Sequence, residues 1–344
     1  MFLTNDMVEA FALKRNPALS FPFLKENGEL LAITIDSGFL IEPRALEHYA
    51  DFHSKAFKLT KLYPQYYRFI LSMVIHLEAG GLQVGEAAKI ADYVIENDLL
   101  LLDTSETRKL ETLTLLSNLK PLSKIYKKIY DGIVYNVDQL IKNPELYTKF
   151  NKPLFYDLTH IIFFLSDYGK KSLPLQNDVT QCLIYIGLLA LLDNDADLLA
   201  EVCVCLRYIN SKIARYWDDF LQKSLKEIKV TYQDTVMSAL NPSADEYHIY
   251  LVLNWYQALQ KRPAFETRFN GEKPSFSLPE MPQSVLSKLS DYSHQVHFNG
   301  KNANQSISQF VSGLNDYELG HWNLTLSSSE HFKNLVEGFS GLRL

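Results

Sequence analysis

This sequence has no basic surplus. Its 34 Lys and Arg are outnumbered by 40 Asp and Glu, giving a formal net charge of −6. Phosphate backbones are gripped by clustered cations, so a nucleic-acid partner is not expected. The densest basic stretch, SKIYKKIY from Ser123, reads as a solvated helix face. Long apolar runs are also missing. CLIYIGLLALL, from Cys182, is among the longest, and it falls well short of the roughly 20 residues that span a bilayer. No membrane association is expected either. Cysteine is scarce, with Cys182 in that run and Cys203 and Cys205 as CVC. An odd, sparse count suits a reducing compartment, and thiols two positions apart point about 200° away from each other on a helix. The three therefore read as unbridged core thiols, not metal ligands. MFLTNDMVEAFALKRNP, with acidic residues ahead of basic ones, resembles neither a secretory signal nor a transit peptide, and the expected setting is the cytoplasm.

The common catalytic signatures are absent as well. There is no GxSxG elbow, no GxxxxGKS loop, no GxGxxG after a strand, no HExxH and no CxxC. The nearest acidic cluster, DNDAD from Asp193, sits between LLALL and LLAEV and reads as a turn with a helix N-cap. His294 and His297 have three-residue spacing, yet they lie at the edge of an irregular stretch. His48 and His53, five apart, read as surface residues.

What is present is helical period. YRFILSMVIHLEAG, AEVCVCLRYI and KIARYWDDFLQKSLKEI repeat apolar residues every three or four positions, with short polar breaks between them. Gly80-Gly81 and Gly169 mark helix ends, while Pro64, Pro153 and Pro242 mark starts. GELLAITIDSGFLIEP is the exception: Ile33, Ile35 and Phe39 suggest a short β-hairpin. The expected organisation is an N-terminal helix and hairpin over 1–42, a body of helical hairpins over 43–261, an irregular Pro- and Gly-containing excursion over 262–300, and a helical segment over 301–344. An excursion that long is commonly functional, as a lid or docking segment. The fold class expected is all-α, stacked helical hairpins that can close into an α/α toroid.

Three apolar helices each carry a histidine: His76, His160 and His248, separated by 84 and 88 residues. Two hairpins of roughly 40 to 47 residues fill each step. The segment YDLTHIIFFLSDYG adds a stripe. Asp157, His160, Phe164 and Asp167 follow a/d spacing, so they share one side of an otherwise apolar helix. A carboxylate beside an imidazole can orient it for proton transfer. The bland alternative makes both aspartates helix-end residues and His160 a core histidine bonded to a carbonyl.

The same segment resembles the T-H-x-x-F, then D-[FY]-G, helix of uncharacterised bacterial all-helical proteins, through Thr159, His160, Phe163, Asp167, Tyr168 and Gly169. Tyr247 and His248 are similar to a second His-bearing helix of those proteins. The resemblance implies a helical fold and no particular reaction or cofactor.

Two functional readings follow. In one, a cavity holds His160 as general acid or base, oriented by Asp157 or Asp167, with His76, Tyr247, His248 and Trp255 binding a small organic molecule or peptide. In the other, a non-enzymatic helical scaffold binds a protein or peptide, with some of its 20 Tyr and 20 Phe as anchors. Neither the cofactor nor the oligomeric state is legible.

Overall fold

The computed structural model describes residues 2–232, 245–269, 273–279, 283–298 and 307–342, so the helix start expected at Pro242 lies outside the described residues. The described residues are all-α apart from two short strand pairs. Among the described residues, no helix is long and apolar enough to cross a membrane. The chain forms two compact units, one from Met1–Ile133 with Ile228–Leu278, the other from Val134–Glu227 with Pro279–Leu344.

In the first unit, the helix Phe21–Asp36 packs against Tyr67–Gly80 and Tyr247–Leu259. It starts where the Ser20 hydroxyl accepts the Phe23 N–H at 3.3 Å and Pro22 occupies the first turn. Phe23, Leu24, Asn27, Leu30, Leu31 and Thr34 recur at three- and four-residue steps and are buried. The expected N-terminal hairpin is therefore corrected: Ile33 and Ile35 belong to this helix. Only Leu40–Ile41 beyond it is strand, paired in parallel with Phe2–Leu3. The β-branched run suggested a strand, but the cap at Ser20 and the tertiary packing override it. Thr34 even returns its hydroxyl to the Leu30 carbonyl, at 2.6 Å.

A buried ionic cluster ties distant parts of this unit together. Arg15 donates to both Glu26 carboxylate oxygens (2.7 and 3.1 Å), to Asp245 Oδ2 (2.5 Å) and to the Pro274 carbonyl (2.6 Å). Its guanidinium also lies 5.1 to 5.3 Å from the ring centroids of Phe11, Tyr247 and Phe276. Burial works against the charge, but the bonds and charges of Glu26 and Asp245 outweigh it and hold the guanidinium pKa above its ordinary value.

The second unit is organised on Thr180–Leu192, which packs against Ala196–Tyr208, Asp316–Ser328 and Phe332–Ser340. This helix is apolar on all sides, as a fully enclosed helix must be. At Gly187, a Cβ would stand 2.4 Å from the Trp217 ring, so only glycine permits this approach. Cys182, Cys203 and Cys205 are buried and unbridged. Burial pushes the Cys182 thiol pKa up to about 12 and the other two well above their ordinary value. The DNDAD turn behaves as expected, with Asp195 accepting the Leu198 N–H at 3.1 Å.

The stretch 262–300 is less irregular than its composition suggests. Pro274–Ser277 pairs antiparallel with Lys229–Tyr232 in the first unit, and Val285–Phe298 is a helix of the second. Phe276, fully buried, anchors the strand and stacks on Tyr250 at 4.6 Å.

Candidate functional site

In the second unit, two helices face each other with polar groups at matching intervals. Lys152–Leu165 opens at Asn151, whose side chain accepts the Leu154 N–H, with Pro153 in the first turn. One turn apart on it stand Tyr156 and His160, with Thr159 beside them. Ala196–Tyr208 presents Asp197 and Glu201, also one turn apart. Tyr156 donates to Asp197 Oδ2 at 2.8 Å, and Thr159 donates to Glu201 Oε2 at 2.5 Å. His160 Nε2 stands 3.8 Å from Glu201 Oε1. The Glu201 side chain is 1% exposed and that of His160 38%, so the pair joins a fully enclosed carboxylate to an accessible ring.

The ring is held from both sides. His160 stacks on Tyr156 and Phe164 with centroids 6.3 Å away, a ladder that i, i+4 spacing produces. Burial, then the charges of Asp197, Asp195 and Glu201, raise the Tyr156 pKa, so its hydroxyl remains a proton donor.

The carboxylate that faces His160 is therefore Glu201, and neither expected aspartate takes that place. Asp157 is exposed. Asp167 lies beyond the helix end in a left-handed conformation (φ +47°), with Lys171 Nζ 2.9 Å from its carboxylate. The a/d stripe assumed that the helix continues through Asp167, whereas it stops at Leu165 and turns through Asp167, Tyr168 and Gly169, all at positive φ.

His76, Tyr247, His248 and Trp255 belong to the first unit. His76 is a core histidine: Nδ1 donates to the Ser72 carbonyl at 2.7 Å, and Nε2 faces Asp36 at 3.5 Å. Tyr247 and His248 do meet, through Glu29. His248 Nδ1 is 3.2 Å from Glu29 Oε2, and burial, then the charge of Glu29, raises the Tyr247 pKa. Trp255, two turns along the same helix, is buried. His53, expected at the surface, is buried beside Glu78 at 3.4 Å, because its helix turns that face inward with Phe52 and Ala56. His297 bonds the Ser340 carbonyl at 2.9 Å, and His294 stacks on Phe298.

A family model described as a domain of unknown function, DUF6902, matches residues 3–342. The chain belongs to the DUF6902 family. No curated protein and no solved structure matches it. Membership brings no reaction with it, and only the geometry of the site bears on its chemistry.

Glu29, Asp197 and Glu201 are the groups that sequence reasoning passed over. A signal existed: ADLLAEVCVCL and GELLAITI each hold a carboxylate inside an apolar helix-period run. Such a carboxylate needs a partner, and the partner is what makes it a candidate.

Proposed function

We propose that the His160–Glu201 pair is a general acid–base centre that binds and processes a small organic molecule or peptide. The observation that carries this reading is a carboxylate with 1% exposure set against a histidine with 38% exposure. An enclosed carboxylate needs a partner, and here it faces an imidazole, the side-chain type suited to acid–base exchange. With Nε2 turned toward Glu201, the Nδ1 edge of His160 is left to exchange a proton with a ligand. Tyr156, one turn away, spends its O–H on Asp197 and so ties the two helices together beside the pair. Thr159 and the rings of Tyr156 and Phe164 fix the geometry, an arrangement that reduces the cost of orienting the base. The motif of Thr159, His160, Phe163, Asp167, Tyr168 and Gly169 would then mark the site, since its Thr-His step supplies both contacts to Glu201. The unbridged thiols support a cytoplasmic setting.

The test is His160→Gln, with hydrolysis of chromogenic esters, phosphates, glycosides and aminoacyl anilides as the first assay, and His160 ring proton resonances in the presence of metabolite mixtures as the second. Turnover should fall about a hundredfold or more in the variant while its thermal midpoint stays close to that of the wild type. If the variant loses stability but retains turnover or binding per folded molecule, or if neither assay responds in the wild type, the reading fails. The non-enzymatic scaffold would then be preferred.

A further inference from the structure

The first compact unit contains a cleft of about 360 Å³ where two helices end, Phe21–Asp36 and Tyr247–Leu259. That volume falls within the range of small-molecule sites. Its walls include Ser37, Gly38, Phe39, Lys261, Arg262 and Pro263. Among the described residues, two cationic side chains line it and no acidic one. We propose that this cleft binds the anionic group, a carboxylate or a phosphate, of a small molecule.

Three observations support the proposal. The backbone N–H groups of Ser37, Gly38, Lys261 and Arg262 are already spent on the carbonyls of Ile33, Ile35, Ala258 and Gln257, so recognition falls to side chains. Among those, the Ser37 hydroxyl is enclosed and has no hydrogen-bond partner among the described residues, a costly state that a bound oxygen would relieve. Lys261 holds a left-handed backbone (φ +57°) at the position after the helix where Gly or Asn is easiest. A cation near a helix C-terminus is favourable without any ligand. That alone accounts for neither the cleft nor the enclosed hydroxyl. Phe39, edge-on to Phe265 at 5.3 Å, gives the cleft an apolar wall for the rest of the ligand.

The experiment is isothermal titration calorimetry of the full chain with inorganic phosphate and, separately, with malonate, against matched chloride. Binding of at least one anion at about millimolar concentration or tighter is expected, and Lys261→Gln, at an exposed side chain, should weaken it about tenfold. Ser37→Val should also weaken it, with circular dichroism confirming that both variants fold. Phosphate alone points to a phosphate ester, malonate alone to a carboxylate, and both to recognition by charge. Binding of neither anion above chloride, or an affinity unchanged in Lys261→Gln and Ser37→Val, overturns the proposal.

Discussion

Arg15 in the first compact unit and Glu201 in the second are equally enclosed, each side chain 1% exposed, yet their surroundings differ in kind. The guanidinium is met by Glu26, Asp245, the Pro274 carbonyl and three aromatic faces. None of these partners is an imidazole. Glu201 receives the Thr159 hydroxyl and faces the imidazole of His160, which is open to solvent. A buried charge surrounded by fixed partners holds a fold together. A buried charge beside a titrating, accessible partner has the makings of chemistry.

The largest effect that separates the two concerns Arg15. Replacing it with Met fills much of the volume but leaves Glu26 and Asp245 without their common cation, and the expected loss is about 3–5 kcal/mol. Urea unfolding measures it. A loss below about 1 kcal/mol would mean that the Arg15 cluster is not the fixed element described. For Glu201→Gln the expectation is reversed. Gln retains an oxygen for the Thr159 hydroxyl, so stability should change by only about 1–2 kcal/mol. Any turnover that depends on His160 should fall tenfold or more, since the ring loses the carboxylate that faces it. Equal losses of stability in the two variants would erase the contrast.

How legible these sites were depended on whether their partners lay nearby in sequence. Helix starts at Pro153 and DNDAD and the helix end at Gly80-Gly81 were readable because capping is a matter of adjacent residues. His160 stands out in the sequence as a polar group on an apolar helix, but the carboxylate its own helix offers, Asp157, is one turn away. Glu201 is 41 residues on, brought in by packing between helices, which a single sequence does not display. The hairpin expected from Ile33 and Ile35 failed for a related reason. Local β propensity pointed one way, while burial against Tyr67–Gly80 and Tyr247–Leu259 decided the matter. Arg15, in the polar stretch LKRNP, gave no sign in the sequence that it is buried.

The smallest effect tests whether the second unit keeps an enclosed histidine neutral, in contrast to the accessible His160. His321 is 4% exposed and satisfied on both nitrogens: Nε2 donates to the Leu191 carbonyl at 2.7 Å, so Nδ1 accepts from the Tyr216 hydroxyl at 2.6 Å. That pattern fits a neutral ring. Burial pushes its pKa below the ordinary 6.5, with the Leu191 bond opposing. Below pH 6.5, then, the unfolded chain takes up a proton at this position that the folded chain refuses. Its contribution to stability is therefore full above about pH 6.5 and falls as the pH drops toward the folded-state value, with a slope approaching about 1.4 kcal/mol per pH unit for one proton. His321→Gln removes the titration while keeping a polar group in place. The stability difference between wild type and variant, measured by urea unfolding at pH 7.5, 6.5 and 5.5, should narrow progressively toward the lowest pH. Parallel curves would show that His321 charges as readily folded as unfolded. A buried imidazolium would then be tolerated in this unit, and burial alone would not hold its histidines neutral.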